Sequence, residues 1–302
     1  VAVYFAPCAP ETDCADRQLL DLLDSARESI YCAFYDFEYQ PAADALIARY
    51  AEGVTVAIVS DSDYADRAAV QACVRAGIPV VFDGRSALMH NKFCIVDGSI
   101  VWTGSTNVTH NCLFKNNNNA LRIVSPELAA NYTAEFIEMY RDRRFGATSP
   151  KNTPHTEVRI GETRIACFFA PEDAARDAII AAVAPAKRTI LFMAFSFTSK
   201  PLAEAMAERV RTGVAVRGIF EKRNASGAYS VDEFLAESGA EVRLDRNPDN
   251  LHHKVIVIDG ETVVAGSYNF SESAETKNDE NVLIIHDSEI AQRYAAEFER
   301  LW

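Results

Sequence analysis

The sequence lacks the composition of a disordered, fibrous or membrane-spanning chain. Charged residues make up 24% of its 302 residues, and it contains only 13 glycines and 11 prolines. Disordered and collagen-like chains have much more charge, glycine or proline than this. No apolar run reaches the ~18–20 residues of a membrane-spanning helix, which predicts a soluble chain over these residues. With 49% hydrophobic residues, the chain is long enough to bury its cores in two domain-sized units.

Positive charge is also scarce. The 30 lysine and arginine residues face 43 aspartates and glutamates, which gives a net charge of −13 and a pI of about 5.0. Proteins that bind polyanions usually carry basic faces, so this charge argues against a nucleic-acid substrate. A basic cleft within an acidic body is still compatible with one. Its candidate rim residues are Lys115, Arg122, Arg141 to Arg144, Lys222 and Arg223, with solvated surface charge as the alternative for each.

The seven cysteines show no paired spacing of the kind found in zinc sites. Cys32 and Cys94 lie in apolar runs typical of strands, which predicts small buried side chains. Cys8 and Cys14 flank a short loop and would pair in an exported protein, with two free thiols as the alternative. The chain begins at Val1 without a start methionine, which indicates an upstream segment. These features favour a periplasmic or secreted protein slightly over a cytoplasmic one.

One chemical pattern occurs twice in this chain. It consists of His-x-Lys, an aspartate five residues after the lysine, and then Gly-Ser-x-Asn. The first copy contains His90, Lys92, Asp97, Ser105 and Asn107, and the second, 162 residues later (252 − 90), contains His252, Lys254, Asp259, Ser267 and Asn269. Two copies predict one site built from two halves, with two histidines and two lysines facing one phosphate.

The repeat extends over the whole chain. Phe5-Ala6-Pro7, for example, recurs as Phe169-Ala170-Pro171, and the offset between matching segments stays between 160 and 164 residues. Such constancy indicates an internal duplication. Residues rich in glycine, proline, serine and threonine separate the copies. We therefore predict an N-terminal lobe at residues 1–146, a linker at 147–162 and a C-terminal lobe at 163–302.

Helical and strand periodicities alternate within each half. In the first half, helical patterns at 42–50, 65–76 and 126–141 alternate with strand patterns at 54–59 and 80–82. The motif region predicts two strands joined at Asp97-Gly98, a hairpin signal. This alternation predicts two duplicated α/β/α sandwich lobes with mixed sheets, related by a pseudo-twofold axis. Such a chain is a fused homodimer, so we expect a monomer without an obligate protein partner.

The residue types of the motif suit the chemistry of a phosphodiester. Neutral imidazole is a nucleophile and imidazolium is a general acid, and both forms are accessible near pH 7. The lysines would neutralise charge on the phosphate oxygens, and the Asn107, Asn269, Ser105 and Ser267 side chains would donate further hydrogen bonds. We expect no metal and no cofactor, because the lysines already supply positive charge. A zinc site on the histidines is the alternative, although each lysine would repel the ion.

Both copies resemble the HKD signature of the phospholipase D superfamily, and the resemblance covers essentially the whole chain. The run Asn278-Asp279-Glu280-Asn281 after the second copy fits the same family. The resemblance implies two α/β lobes with the active site at their interface, and metal-independent chemistry through a phosphohistidine. Asp97 and Asp259 match the motif's aspartate and are expected to be structural, because each lies at a hairpin turn. His253 fills the variable position, and alternation along the strand predicts that it points away from the site.

Members of this family often place an acidic or amide residue eleven positions after the motif asparagine, bonded to the catalytic histidine. Those positions are Asn118 (107 + 11) and Glu280 (269 + 11), although the run of asparagines around Asn118 is alternatively a polar turn. Placing each within its own half predicts a carboxylate beside His252, which would favour imidazolium, and a neutral amide beside His90. We therefore predict that His90 is the nucleophile and His252 the general acid.

The superfamily contains phospholipases, phospholipid synthases and nucleases, and the compact chain resembles the nuclease-like branch most. A nuclease acting on single- or double-stranded nucleic acid is therefore our main hypothesis. The first alternative is a lipid phosphodiesterase or phosphatidyltransferase, for which Phe114, Tyr229 and Phe270 would form a membrane-docking rim. The net charge opposes nucleic acids and anionic bilayers equally. The second alternative is a binding module that has lost turnover.

Overall fold

The structure, a computed structural model, describes residues 1–8 and 14–302 and contains two α/β units built on mixed sheets. The elements of the first unit are β1 Ala2–Ala6, α1 Ala15–Asp24, β2 Ser29–Phe34, α2 Gln40–Ala51, β3 Thr55–Ser60, α3 Ala68–Arg75, β4 Val80–Phe82, β5 Lys92–Val96, β6 Ile100–Gly104, α4 His110–Phe114, β7 Asn118–Val124 and α5 Pro126–Tyr140.

The second unit repeats this sequence of elements with one extra strand at its start and one extra short helix at Lys222–Ala225. Its elements are β8 Glu157–Ile160, β9 Thr163–Ala170, α6 Ala175–Val183, β10 Thr189–Ala194, α7 Lys200–Arg211, β11 Ala215–Phe220, α8 Lys222–Ala225, α9 Asp232–Glu237, β12 Glu241–Leu244, β13 Lys254–Ile258, β14 Thr262–Gly266, α10 Glu272–Thr276, β15 Glu280–His286 and α11 Ser288–Leu301.

The two sheets have the same strand order. The first runs β1-β7-β6-β5-β2-β3-β4, and the second runs β9-β15-β14-β13-β10-β11-β12, with β8 added outside β9. In both sheets the motif strand, β5 or β13, lies at the centre between an antiparallel hairpin partner and an antiparallel β2 or β10. The predicted fold class, two duplicated α/β lobes with mixed sheets, is confirmed.

Two helices lie between the sheets and join the lobes. Helix α5 packs on β2, β3, β5 and β6 of its own lobe and also contacts β9 of the other, while α11 packs on the second sheet and contacts β1. One hydrophobic core accordingly contains side chains from both lobes, among them Tyr132, Phe136, Tyr294 and Phe298. Because this core crosses the lobe boundary, the lobes pack as one body with the motif strands at their interface.

Part of the predicted linker is a strand. Residues Glu157–Ile160 form β8, which pairs antiparallel with β9 at the edge of the second sheet. The neighbouring glycine, proline and threonine residues obscured its short alternation, in which Val158 is buried between exposed neighbours. The sheet of the second lobe therefore begins before residue 163.

The cysteines follow their sequence environments. Cys8 and Cys14 form a disulfide, and the loop between them lies outside the described residues. Cys32 and Cys94 are free and fully buried on the adjacent strands β2 and β5, with their sulfur atoms 3.2 Å apart. Across the described part of the chain, no helix has both the length and the apolarity required to span a bilayer.

The aspartate of each motif holds the strand next to the motif strand. Asp97, at the β5–β6 turn with φ 50°, accepts hydrogen bonds at 2.8–3.2 Å from three successive backbone N–H groups, those of Arg27, Glu28 and Ser29. Asp259 accepts from the equivalent groups of Lys187, Arg188 and Thr189. These hydrogen bonds lower the pKa of both carboxyls and tie the start of β2 or β10 to the motif hairpin.

The glycine of each Gly-Ser-x-Asn segment permits a close approach of two strands. Gly104 has φ 137°, and a Cβ there would lie 2.5 Å from the backbone oxygen of Asn119 in β7. The same carbonyl accepts a hydrogen bond from the backbone N–H of Ser105 at 3.0 Å. Gly266 makes the equivalent contact with Asn281 in β15. A side chain at either position would push apart the strands that carry the site.

We predict that Gly104→Ala destabilises the protein more than Gly53→Ala. Both residues have positive φ, but a Cβ at Gly53 would meet nothing within 4 Å. The free energy of unfolding of the Gly53 variant should therefore fall only by the cost of a side chain at positive φ, about 1–2 kcal/mol. The Gly104 variant should lose about 1–3 kcal/mol more, because β7 must move. Denaturant unfolding measures both losses, and equal losses would show that the close approach is not a constraint.

Candidate active site

The two motifs meet in one cavity at the junction of the lobes. Its volume is about 430 Å³, and both histidines line it. The other lining residues come from both lobes: Tyr35, Asp36, Glu38, Tyr64, Arg67, Leu88, Asn107, Thr109, Asn111, Cys112, Asn116, Phe195, Asn250 and Asn269. The structure therefore places the predicted residues His90, His252, Asn107 and Asn269 around a single space.

Two pairs of backbone hydrogen bonds join the lobes at this cavity. The N–H of His90 donates to the carbonyl of Asp279 at 3.0 Å, and the N–H of Asp279 donates to Leu88 at 2.9 Å. The second pair joins His252 to Asn117 at 2.8 Å and Asn117 to Asn250 at 2.9 Å. The backbone of His90 is thereby bonded to Asp279, which immediately precedes β15. The backbone of His252 is bonded to Asn117, which immediately precedes β7.

These bridges exchange the histidine partners between the lobes. His90 Nδ1 lies 2.8 Å from Glu280 Oε2, and His252 Nδ1 lies 2.8 Å from Asn118 Oδ1. The prediction of a carboxylate beside His252 and an amide beside His90 is wrong. Spacing along the chain identified both partner residues, but it carried no information on which lobe's histidine each one reaches.

The hydrogen bonds around Asn118 define the tautomer of His252. The Asn118 amide nitrogen donates to the carbonyl of Cys112 at 3.0 Å, so its oxygen is the atom that faces the histidine. His252 must then donate from Nδ1, which leaves Nε2 as the nitrogen available to the cavity. Glu280 makes the same bond to His90 with a carboxyl oxygen. Asn118 begins β7 and bonds His252, so its alternative interpretation as a polar turn is wrong.

The motif serines lie behind the partners rather than in the cavity. Ser105 Oγ donates to Asn118 Oδ1 at 3.0 Å, and Ser267 Oγ donates to Glu280 Oε2 at 2.7 Å. Both serines are fully buried and neither lines the cavity. The prediction that their hydroxyls donate to the phosphate is wrong, because the single proton of each is already used. They are positioning residues for Asn118 and Glu280.

Each lysine is buried beneath its histidine and lies over an aromatic ring. Lys92 Nζ donates to the backbone oxygen of His90 at 2.6 Å and lies 4.8 Å from the centre of the Tyr35 ring. Lys254 Nζ makes the same bond to His252 at 2.7 Å and lies 4.7 Å from the Phe195 ring. Burial lowers the pKa of Lys92 to about 8 and that of Lys254 well below its ordinary value.

Sequence reasoning missed the two aromatic residues. The Tyr35 and Phe195 rings pack edge-on against His90 and His252, with centroids 4.6 Å apart in both pairs. Both rings also line the cavity. The available signal was their position, since each is the first residue after β2 or β10. Apolar residues in that place are more often core, which hid their contribution.

The cavity favours neutral imidazoles in the free protein. Burial lowers the pKa of His90 and of His252 well below the ordinary value, and the two lysines lower both further. Burial also raises the pKa of Glu280 to about 8, although Lys92 opposes this rise. A negatively charged ligand between the lysines would reverse the effect on the histidines, because it favours their protonated forms.

Asn107 and Asn269 offer their amides to a ligand. Both line the cavity, and the Oδ1 atom of each is buried without a hydrogen-bond partner in the protein. A buried amide oxygen without a partner is unfavourable, so water or a bound ligand must complete its hydrogen bonding. Their matched positions in the two lobes place one such amide on each side of the cavity.

A second layer of polar contacts crosses the interface behind the motifs. Asn91, between His90 and Lys92, accepts from the amide of Asn281 at 2.8 Å. His253 Nδ1 lies 3.0 Å from the amide nitrogen of Asn119 and is fully buried. His253 therefore lies in the interface and does not line the cavity. The asparagines after Asn118 and Glu280 were not predicted as site residues.

Few of the predicted rim cations lie at the cavity. Lys222 donates to the backbone oxygen of Asn247, and Arg223 donates to the side chain of Asn250, which lines the cavity. None of the proposed cations is itself a lining residue. Arg67, which was not predicted, lines the mouth and is paired with Asp36 at 3.0 Å.

Fold and site together define a duplicated α/β enzyme in which histidines from two lobes line one cavity and a buried lysine is bonded to the backbone of each. The chain belongs to the family described as cardiolipin synthase, PLD-like domain, whose model matches residues 19–140 and 179–302. It is therefore a member of the phospholipase D superfamily and a phosphodiester hydrolase.

Several known proteins are similar to this chain. It is 26% identical to a phospholipase D of Rickettsia bellii over 166 residues, 55% of this chain and 81% of the relative. It is 35% identical to a mitochondrial cardiolipin hydrolase of Xenopus laevis over 136 residues, 45% of this chain and 65% of the relative. The structure of phosphatidylserine synthase from Haemophilus influenzae shares the fold, with a TM-score of 0.70 and 15% identity over 99% of this chain and 84% of that chain.

The pairing of each histidine with a residue of the opposite lobe predicts which partner slows the exchange of its Nδ1 proton with water. A hydrogen-bonded Nδ1–H exchanges slowly with water and gives a resolved NMR signal, whereas a free one does not. Asn118→Ala should remove the signal of His252 and leave that of His90. Glu280→Ala should do the reverse, and Glu280→Gln, which keeps an acceptor oxygen, should preserve both signals. Loss of the His90 signal in Asn118→Ala would show that the partners belong to their own lobes.

Proposed function

We propose that the protein is a nuclease that hydrolyses DNA or RNA through a phosphohistidine. The observation that carries this proposal is the polar cavity in which His90 and His252 face one space with two lysines beneath them. Because one chain supplies both halves of the site, we propose that the monomer is the active form.

The wall of the cavity suits a polynucleotide. Most of its polar lining residues carry an amide or a hydroxyl group, and the Tyr35, Tyr64 and Phe195 rings add aromatic surface of the kind that nucleic-acid sites use. A lipid with acyl chains would need an apolar surface beside the site. Among the described residues, none of the large exposed hydrophobic side chains lines the cavity: Val1, Val74, Phe114, Val124, Tyr229, Phe234 and Leu244. Phe270, a third residue of the predicted rim, is buried.

The proposed reaction proceeds through two displacements at phosphorus. In the first, His90 Nε2 forms a bond to phosphorus, the bond to the leaving oxygen breaks, and His252 donates its Nε2 proton to that oxygen. In the second, His252 takes a proton from water, the water oxygen bonds to phosphorus, and the phosphorus–nitrogen bond breaks. Lys92, Lys254 and the amides of Asn107 and Asn269 stabilise the negative phosphoryl oxygens in both steps.

The observed partners support this division of roles, although for a different reason from that given by the sequence. Once His90 Nε2 is bonded to phosphorus, the ring still holds its Nδ1 proton and carries positive charge. The Glu280 carboxyl oxygen accepts a hydrogen bond from this Nδ1–H group and so stabilises the charge. Asn118 is neutral and gives protonated His252 less stabilisation, so His252 releases its proton more readily to the leaving oxygen.

The second candidate function is hydrolysis or transfer of phospholipid headgroups. The family and the relatives favour it, since they are a cardiolipin synthase domain, a phospholipase D and a cardiolipin hydrolase. The same two-step chemistry would apply, with an alcohol replacing water in a transfer reaction. Phe114, at the end of α4 and packed on Tyr39, is the exposed apolar residue nearest in sequence to the lining residues of that helix.

The first test is cleavage of end-labelled single-stranded and double-stranded DNA and RNA in excess EDTA. The wild-type protein should cut at least one of these substrates. His90→Ala should lose at least about 1,000-fold in rate, because the nucleophile is gone. His155→Ala, which changes an exposed histidine in the segment between the lobes, is the matched control and should cut at the wild-type rate.

Phospholipid vesicles with labelled headgroups form the second arm of that test. Headgroup release without cutting of any nucleic acid would overturn the nuclease proposal and establish the lipid candidate. Cutting by His90→Ala at the wild-type rate would show that a contaminating nuclease is responsible.

The division of roles predicts where the covalent intermediate accumulates. In His252→Ala, a substrate with a good leaving group such as a nitrophenyl phosphodiester needs no acid for the first step, but the second step lacks its base. Phosphoprotein should therefore accumulate, and peptide mapping should place the phosphoryl group on His90. Phosphoprotein in His90→Ala that maps to His252 would reverse the assigned roles.

A further inference from the structure

Three carboxylates form a buried cluster at the lobe interface, outside the cavity. Glu135 and Glu138 lie one turn apart on α5, and Glu172 lies in the turn after β9 of the other lobe. One oxygen of each lies within 4.8 Å of the other two. Glu135 and Glu138 are each only 2% exposed, while Glu172 is half-buried and opens towards solvent.

Some oxygens of this cluster have no hydrogen-bond partner. Glu138 Oε1 and Glu172 Oε2 are buried without one, whereas Glu135 Oε1 and Glu138 Oε2 each accept from an asparagine amide, at 3.0 and 3.3 Å. The Ser149 hydroxyl lies beside Glu138. Within the described ranges, no basic side chain forms an ion pair with any of the three carboxylates; the exposed Arg144 acts on Glu138 only at longer range. Buried oxygens without partners are rare in native proteins, because each loses its hydration without compensation.

The equivalent positions on α11 of the second lobe carry the basic side chain that the first lobe lacks. Glu297 is the counterpart of Glu135, and Arg300 is the counterpart of Glu138, both at an offset of 162 residues (297 − 135 and 300 − 138). The Arg300 guanidinium binds both oxygens of Glu297 at 2.7 Å, and His253 lies 3.4 Å from the same carboxylate. The duplicated position is therefore neutralised by basic side chains in one lobe and surrounded by further acids in the other.

The lack of compensating positive charge in the first lobe raises the pKa values of these carboxyl groups. Burial, with repulsion from neighbouring carboxylates, raises the pKa of Glu172 to about 8 and that of Glu138 to about 7. An isolated buried carboxylate costs several kcal/mol unless a cation or a proton compensates it. The three oxygens lie within 4.8 Å of one another, a separation that one divalent cation of sufficient size spans.

We propose that Glu135, Glu138 and Glu172 bind a divalent cation, with Ca²⁺ as the best fit. Ca²⁺ takes six to eight oxygen ligands at about 2.3–2.6 Å, so two ligands on opposite sides of it lie up to about 5 Å apart. The Ser149 hydroxyl is a further oxygen ligand, and waters entering beside Glu172 complete the shell. Mg²⁺ needs a smaller and stricter octahedron, so it should bind more weakly.

The bound cation would tie together three separate segments. These are α5 of the first lobe, the turn after β9 of the second, and the connection around Ser149. Glu135 also accepts a hydrogen bond at 3.0 Å from Asn91, the residue between His90 and Lys92. None of the three carboxylates lines the cavity, so the cation is structural and takes no part in the phosphodiester chemistry.

The experiment compares Ca²⁺ binding and thermal unfolding of the full chain after removal of metal with EDTA. Calorimetric titration of the wild type should show one Ca²⁺ site, and saturating Ca²⁺ should raise Tm by about 5 °C. Glu138→Gln should abolish both effects. Glu138→Arg copies Arg300, so it should bind no Ca²⁺ and should be as stable without Ca²⁺ as the wild type is with it.

Glu127→Gln is the control, since it changes an exposed glutamate on the same helix and should keep the site. A Tm of the wild type that does not change with Ca²⁺ would overturn the proposal and show that protons neutralise the cluster. Binding that persists in both Glu138 variants would place the ion elsewhere on the acidic surface and also overturn it. Because binding and Tm are read without substrate, neither result depends on the nuclease proposal.

Discussion

The site depends on the two backbone bridges that cross the lobe boundary, from His90 to Asp279 and from His252 to Asn117. Each bridge delivers the next residue of the opposite lobe, Glu280 or Asn118, to a histidine. Neither half of the chain thus contains a complete histidine with its partner. The requirement for two lobes in one body follows from this exchange and explains why the cores of the lobes are continuous through α5 and α11.

The same constraint accounts for the residues of the Gly-Ser-x-Asn segments. The glycine lets β6 or β14 approach the carbonyl of Asn119 or Asn281, and the serine hydroxyl then holds the histidine partner. Only the asparagine at the end of each segment reaches the cavity. The pattern thus aligns two strands and places its final asparagine at the cavity.

The sequence predicted the duplication, the order of elements and both motif hairpins, because periodicity and spacing are properties of the chain alone. It identified Asn118 and Glu280 but assigned each to the wrong histidine, since contacts across a pseudo-twofold axis leave no trace in spacing. Tyr35 and Phe195 were missed because an aromatic residue after a strand is usually core. The cluster of Glu135, Glu138 and Glu172 was missed because its members come from different lobes.

Duplication supplies a symmetric frame, and the functional chemistry lies where the two copies differ. Glu280 bonds His90 where Asn118 bonds His252, and Tyr35 packs on His90 where Phe195 packs on His252. The two imidazoles therefore have unequal surroundings in one cavity. Unequal surroundings suit the proposed two-step displacement, in which one histidine gains positive charge while the other loses it. A net charge of −13 acts on a substrate only through salt-screened surface groups, whereas the buried lysines act without that screening. The cavity rather than the overall charge therefore determines how a phosphodiester is held.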